Sequence, residues 1–145
     1  YQVVRRYLKL PEKDWNINKL NLKNHYTKIL ICPQSSDTRR SISNEQLNKL
    51  IFDFKSSYNK PEITIASMDD SFFRVGCKSI KFEKKAKASK LFLELMNQST
   101  LIVSSDSGPL HIALALSKDL IAFMTSTEPR DVINSGASLV IKNLI

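Results

Sequence analysis

One short segment, residues 101–113, constrains the fold of this chain more than any other part of it. It opens with the apolar, β-branched run Leu101–Val103, which favours a buried strand. A polar turn with a single glycine, Gly108, follows, and Pro109 then opens an apolar helical pattern. Proline suits the first helical position because its φ is already set and its missing N–H would have no partner there. The segment therefore predicts a strand that turns abruptly into a helix.

The same turn is a candidate site for phosphate. The first N–H groups of a helix lack intrahelical partners, and the positive end of the helix dipole lies at the same point. Gly108 carries no side chain, so a ligand can approach the backbone closely. His111 lies one turn into the helix from Ser107 and is expected to face the same place.

Composition indicates a single soluble globular domain. The chain has 145 residues, of which 42% are hydrophobic and 25% are charged. No apolar run approaches the roughly 20 residues of a membrane span, and no signal-peptide pattern opens the chain. Cys32 and Cys77 fit no metal or redox spacing and are expected to be reduced, half-buried thiols of a cytosolic protein. Because the first residue is Tyr1 rather than Met, we expect a fragment or a processed product.

The charge balance favours anionic partners without choosing among them. The net charge is +8, and six lysines fall within residues 78–90 against the single acid Glu83. No aromatic interleaving marks this cluster as a base-stacking surface, so a solvated face is the favoured interpretation. Contact with an anionic membrane and binding to nucleic acid remain the alternatives.

Strand and helix patterns alternate along most of the chain. Residues 1–26 are expected to be a helix end that Pro11 stops, followed by a polar connector, and residues 27–145 to form the domain. The predicted strands are 28–32, 63–66, 79–82, 101–104, 120–124 and 139–141. One helix is predicted to begin at a capping box formed by Ser43 and Gln46. Two further helices are predicted over residues 88–97 and 109–116. In the helix over 88–97, Leu91, Phe92, Leu95 and Met96 are expected to face the core. This order predicts an α/β fold, with a Rossmann-like parallel sheet flanked by helices.

Ligands of such sheets bind beyond the carboxyl ends of the strands, so four loops make up the candidate site. They are residues 33–40, 67–70, 104–108 and 125–129. The first loop combines hydroxyl groups with Arg39 and Arg40, which suit the terminal oxygens of a diphosphate; an ordinary polar turn is the alternative. In the second loop, Asp69 and Asp70 suit a metal ion, ribose hydroxyls or a helix N-cap. The fourth loop offers three hydroxyls and one acid, which can hold sugar hydroxyls or form a plain turn.

Several kinds of chemistry are disfavoured. Ser107 and His111 lack a G-x-S-x-G elbow and an acid placed to orient the imidazole, which argues against a serine hydrolase. Two histidines, two scattered cysteines and no acid–x–acid triplet offer no convincing metal site. His25 lies in the connector, where a surface position is expected. A nicotinamide site is disfavoured because G-x-G-x-x-G is missing.

Taken together, these residues resemble the carboxyl-terminal domain of glycosyltransferase family 9, the ADP-heptose:lipopolysaccharide heptosyltransferases of Gram-negative bacteria. Residues 106–113 match the family pattern D-[ST]-G-P-x-H-[LI]-A throughout. Residues 89–97 are similar to the helix before that motif. Residues 121–129 are similar to the strand and G-P-T-D-P loop after it, with Thr127, Glu128 and Pro129 in register. The resemblance runs from about residue 28 to 136.

This resemblance implies the carboxyl-terminal half of a GT-B glycosyltransferase, which binds the nucleotide-sugar donor, here ADP-heptose or a related sugar. It implies diphosphate contacts from Ser107, Gly108, His111, Ser35, Ser36 and Arg40. Asp106 and Pro109 would shape the turn, and Asp69, Asp70, Thr127 and Glu128 would lie near the ribose, base or sugar. No cofactor and no metal are expected, because the helix dipole and basic side chains stabilise the departing diphosphate.

The resemblance also implies partners that this chain does not reach alone. An amino-terminal domain would bind the lipid-linked glycan acceptor and supply the catalytic base. The sugar transfer is expected to be inverting, and the fragment is expected to be inactive without that domain. A cytoplasmic location, with peripheral contact to the anionic inner membrane, is expected, and specific nucleic-acid binding is not. Two departures favour a non-catalytic, degenerate binding module as the alternative. Arg40-Ser41-Ile42-Ser43 replaces the family's K-x-W-P, and Thr125-Ser126 replaces G-P.

Overall fold

Seven parallel strands form one sheet in the computed structural model, which describes residues 9–10, 26–83, 86–124 and 139–142. The strands are β1 (Lys9–Leu10), β2 (Lys28–Cys32), β3 (Glu62–Ser67), β4 (Lys78–Lys81), β5 (Leu101–Ser105), β6 (Leu120–Met124) and β7 (Leu139–Lys142). Their order across the sheet is β1-β7-β6-β5-β2-β3-β4. Every neighbouring pair is parallel. The predicted α/β, Rossmann-like fold is therefore confirmed.

Three helices cover the two faces of the sheet. They are α1 (Asn44–Ser57), α2 (Ala86–Gln98) and α3 (Gly108–Ala115). On one face, Leu47, Leu50 and Phe54 of α1 pack with Ile31 and other odd-numbered residues of β2. On the other face, Met96 of α2 and Leu110 of α3 pack with Leu30. Because alternate residues of a strand point to opposite faces, a continuous apolar strand serves both cores.

The apolar strands fall where the sequence pattern predicts them. Strands β2 and β6 have the predicted bounds, and β3, β4, β5 and β7 differ from theirs by one or two residues. The connection from β3 to β4 differs in kind, because it contains the 3₁₀ turn Asp70–Phe72 and no α-helix. Arg74 fixes this connection to α1, where its guanidinium donates to Asn44 Oδ1 at 2.7 Å and to Asn48 Oδ1 at 2.9 Å.

Two local expectations are wrong, each for a geometric reason. Lys9–Leu10 pairs with β7 as a strand rather than ending a helix. Leu91 is 54% exposed, whereas Met96 is buried and Phe92 and Leu95 are partly buried. At 100° per residue, Leu91 lies well to the side of the stripe that Phe92, Leu95 and Met96 form. Residues 1–8 and 11–25 of the expected helix end and connector, including His25, lie outside the described residues, and Tyr26 is buried in the core. In the part of the chain described, no helix is long and apolar enough to cross a membrane.

The capping box at α1 is present as predicted. Ser43 Oγ accepts from the Gln46 N–H at 3.2 Å, and Gln46 Oε1 accepts from the Ser43 N–H at 3.1 Å. These two bonds satisfy donors that the first turn of a helix leaves without partners.

We expect Ser43→Ala to lower the free energy of unfolding by about 1 kcal/mol, because it removes the acceptor for the Gln46 N–H. Urea denaturation measures the change. Ser56→Ala removes an exposed hydroxyl that bonds to the Phe52 carbonyl inside the same helix and is expected to change stability by less than about 0.5 kcal/mol. Equal losses in the two variants would contradict a capping role for Ser43.

Candidate functional site

A cleft of about 980 Å³ opens at the carboxyl ends of β5, β2, β3 and β4. Loops that follow these strands form its floor and walls, together with the first turns of α2 and α3. Eight of the residues proposed from the sequence line this one cleft: Ser35, Ser36, Arg40, Asp106, Ser107, Gly108, Pro109 and His111. The parallel register explains their convergence, since it brings the carboxyl ends of neighbouring strands to one edge.

Hydrogen bonds join the loops after β2 and β3. Gln34 Oε1 accepts from Ser67 Oγ at 2.9 Å and from the Met68 N–H at 2.8 Å. Sequence reasoning missed Gln34. The sequence feature that could have indicated Gln34 is an amide side chain directly after Pro33, which follows β2. Such a side chain can form hydrogen bonds to backbone groups of the next loop.

The loops after β2 and β5 are joined in the same way. Ser105 Oγ donates to the Gln34 carbonyl at 3.1 Å, and Ser35 Oγ donates to the Asp106 carbonyl at 3.3 Å. Ser35, Ser105 and Asp106 are buried, so these bonds are protected from solvent. These bonds therefore fasten the loop after β2 to the end of β5, and the Asp106 carbonyl takes part in them.

The start of α3 faces the cleft with fewer free donors than the sequence suggests. Ser107 makes no capping hydrogen bond, because its hydroxyl donates to the Ser105 carbonyl at 3.3 Å. Pro109 has no N–H, and the Leu110 N–H donates to the Ser107 carbonyl at 3.1 Å. A Cβ added to Gly108 would meet no atom within 4 Å, so this backbone position is open to a ligand.

Two charged side chains of the cleft each have a buried atom without a hydrogen-bond partner. Arg40 Nε is buried without a hydrogen-bond partner and lies 3.9 Å from Asp37 Oδ2. Asp106 Oδ2 is likewise buried and unpartnered. A buried polar atom without a partner is costly, so both atoms are suited to contact a polar ligand. His111 lies in the first turns of α3, lines the same cleft and is exposed.

The lining of the cleft also includes a group of apolar residues, which the sequence reading did not anticipate. Met68, Phe82, Phe92, Leu93 and Ile112 belong to this group. The rings of Phe82 and Phe92 pack edge to face, with centroids 4.8 Å apart. The signal was present in Phe92 in the middle of α2 and in Phe82 directly after β4. The cleft thus combines cationic and hydroxyl-bearing residues with apolar ones.

Asp69 and Asp70 do not line the cleft, and their proposed ribose or metal contacts receive no support from its geometry. Asp69 Oδ1 accepts from the Ser71 N–H at 2.9 Å, and this backbone hydrogen bond is the main cause that lowers the pKa of Asp69. Asp70 forms an exposed ion pair with Lys81 at 3.1 Å. Of the alternatives given for these two residues, the helix N-cap applies to Asp69, which begins the 3₁₀ turn Asp70–Phe72. Thr127 and Glu128 lie outside the described residues.

Part of the lysine cluster is neutralised locally, because Lys78 pairs with Glu62 and Lys81 pairs with Asp70. These pairs agree with a solvated face for the described part of the cluster. In the described ranges, no group of three or more His, Cys, Asp or Glu residues is arranged to hold a metal ion.

Comparison with known proteins identifies the segment that carries the motif. Residues 90–141 match the family model described as glycosyltransferase family 9 (heptosyltransferase). The matched range contains β5, the turn at Gly108 and α3. The match covers about a third of the chain, and over these residues the chain is similar to that family.

Two solved heptosyltransferase structures are similar to this chain in fold. The E. coli heptosyltransferase WaaC with ADP is similar with a TM-score of 0.65 and 13% identity, over 83% of this chain and 39% of that one. E. coli ADP-heptose lps heptosyltransferase II is similar with a TM-score of 0.58 and 19% identity, over 86% of this chain and 40% of that one. The chain therefore spans well under half the length of these structures. A search of curated protein sequences found no match.

Cys32 lines the cleft, and its thiol is unreactive because it is buried. It is buried, not half-buried as expected, and burial raises the pKa of its thiol to about 12. Cys77 is half-buried as expected, and burial also raises the pKa of its thiol. Both are free cysteines. Because thiolates are the nucleophiles, Cys32 is unsuited to covalent catalysis.

We expect a thiol reagent at pH 8 to modify Cys77 slowly and to leave Cys32 unmodified until the chain unfolds, because burial both shields Cys32 and keeps it protonated. Mass spectrometry after timed labelling measures both sites. Cys77→Ser should then show no labelling in native buffer and one labelled thiol in denaturant. Rapid native labelling of Cys32 would contradict the buried position.

Proposed function

We propose that this chain is the donor-binding part of a heptosyltransferase-like glycosyltransferase and binds a nucleoside diphosphate sugar. One observation carries the proposal. A single cleft combines the open backbone at Gly108, the unpaired Nε of Arg40 and hydroxyl groups of two loops with a group of apolar residues. At about 980 Å³, the cleft is at the upper end of the size range of small-molecule sites.

The cationic and hydroxyl-bearing residues suit the diphosphate. Arg40 offers a planar guanidinium and Ser36 a hydroxyl in the loop after β2, and Ser107 and His111 offer further hydrogen-bonding groups at the start of α3. A helix N-terminus favours negative charge, and a glycine there lets phosphate oxygens approach the backbone. In the transfer reaction, the same groups would stabilise the departing nucleoside diphosphate.

The apolar residues of the cleft suit the nucleoside. Phe82, Phe92 and Leu93 present an apolar surface against which a flat base can pack. The choice of adenine is supported by the two similar structures, one of which is of an enzyme with ADP while the other is of an ADP-heptose enzyme. We therefore propose ADP-heptose, or a closely related ADP-sugar, as the donor.

The remaining functions are assigned to the rest of the protein. We propose that another domain binds a lipopolysaccharide core or related glycan acceptor and supplies the catalytic base, so that this chain alone binds donor without transferring sugar. Metal-independent, inverting transfer at the cytoplasmic face of the inner membrane belongs to the same proposal.

We expect ADP to raise the melting temperature of the chain, because a ligand that binds only the folded state stabilises it. At about 100 times its Kd, ADP adds roughly 2.7 kcal/mol, which corresponds to a rise of about 5–10 °C for a domain of this size. Differential scanning fluorimetry with ADP, GDP and UDP measures the shift. The absence of a shift with all three at millimolar concentration would contradict the proposal.

We expect Arg40→Ala and His111→Ala each to weaken ADP binding by about 1–3 kcal/mol, as for the loss of a charge-assisted hydrogen bond. Isothermal titration calorimetry measures the affinities. Lys55→Ala, which removes an exposed cation of α1 outside the cleft, serves as the matched control and should bind ADP as the wild type does. An equal loss in the control would point to general charge attraction instead.

We expect Gly108→Ala to keep or slightly raise stability and yet weaken ADP binding. The φ of Gly108 is not positive, and a Cβ there meets open space, so the new methyl group strains nothing in the empty cleft. Alanine is also the better helix former, by up to about 1 kcal/mol. The methyl group would stand where a phosphate must approach. Unchanged ADP affinity in a stable Gly108→Ala variant would contradict a diphosphate site at this turn.

A further inference from the structure

One carboxylate faces two arginines at the edge of the cleft. Asp37 opens the 3₁₀ turn Thr38–Arg40, where its Oδ1 accepts from the Arg39 N–H at 3.0 Å. The Arg39 side chain donates to Asp37 through Nε at 3.3 Å and through Nη2 at 3.0 Å. Arg40 Nε lies 3.9 Å from Asp37 Oδ2, beyond hydrogen-bond distance. Asp37 is therefore paired with Arg39 in a two-point contact and only loosely with Arg40.

The two arginines differ in where they lie. Arg40 lines the cleft, and its side chain is 35% exposed. Arg39 is 74% exposed and is not among the residues that line the cleft. The hydrogen bond from the Arg39 side chain is also the main cause that lowers the pKa of Asp37, so the carboxylate is ionised at neutral pH. The residue that holds Asp37 thus makes no contact with the cleft itself.

Removing Arg39 would leave an ionised carboxylate within 4 Å of Arg40 Nε, an atom that has no hydrogen-bond partner. A small rotation of either side chain would close that distance to a charge-assisted hydrogen bond. Arg40 would then have to break this bond before binding an anion in the cleft.

We propose that Arg39 is a positioning residue that occupies the Asp37 carboxylate and so keeps the Arg40 guanidinium available to the diphosphate. The proposal rests on the proposed function, in which Arg40 binds that diphosphate. Arg39 acts through Asp37 and touches no ligand.

The loop allows this competition to be tested without removing the turn. Asn is as good a helix cap as Asp, so Asp37→Asn keeps an acceptor for the Arg39 N–H and removes only the charge. The exposed pair of Lys81 and Asp70, at 3.1 Å, lies outside the cleft and provides a matched control for the loss of one cation from an ion pair.

The experiment measures ADP affinity by titration calorimetry at low ionic strength, where charge competition is least screened. Arg39→Ala should weaken binding by about two- to fivefold, the range expected when an exposed ion pair competes with the ligand. Asp37→Asn should bind at least as tightly as the wild type. The double variant Arg39→Ala/Asp37→Asn should regain wild-type affinity, and Lys81→Ala should match the wild type.

A double-mutant cycle separates capture of Arg40 from a general charge effect. When Arg40→Ala is already present, Arg39→Ala should cause no further loss, because no guanidinium remains for Asp37 to capture. A persistent loss in that background, or an equal loss in Lys81→Ala, would overturn the proposal in favour of long-range electrostatics.

Two further outcomes would overturn it. A double variant that stays as weak as Arg39→Ala would show that the ion pair serves only to hold the loop, and wild-type affinity in Arg39→Ala would show that Asp37 does not compete. If the wild-type chain binds no nucleoside diphosphate, the proposed function fails and this proposal fails with it. Binding by the wild type together with an unaffected Arg39→Ala overturns only the role of Arg39.

Discussion

The cleft depends on the parallel register of β5, β2 and β3. Because the three strands run in one direction and are neighbours in the sheet, their carboxyl ends bring three loops to one edge. Side chains from these ends then bond across the loops, with Gln34 joined to Ser67 and Ser105 joined to the Gln34 carbonyl. Without that register, the loop that carries Ser35, Ser36 and Arg40 would lie apart from the start of α3.

Much of this arrangement is predictable from the sequence. The apolar β-branched runs predict the strands because burial on both faces of a parallel sheet requires continuous hydrophobicity, and the capping box predicts the start of α1. The strand–glycine–proline–helix pattern at residues 101–113 locates the floor of the cleft. Once the carboxyl-end rule is applied, Arg40 and His111 follow from the order of the elements alone.

Other features depend on tertiary contacts that no local pattern encodes. Asp69 and Asp70 have residue types that suit ligands, but local hydrogen bonding and Lys81 engage them. Leu91 is apolar like Phe92, yet it lies beside the stripe of α2 that packs against the sheet. The apolar group in the cleft joins Phe82 after β4 to Phe92 in α2, and its formation requires the crossover that brings the two together.

The bonds around Gln34 have a kinetic consequence. Three loops are fastened to one another by hydrogen bonds, so they can move little relative to one another. Little side-chain and loop entropy remains to be lost on association, a cost that otherwise reaches about 0.5–1.5 kcal/mol for each immobilised side chain. Such fastening favours association at this cleft that is governed by diffusion and orientation rather than by slow rearrangement.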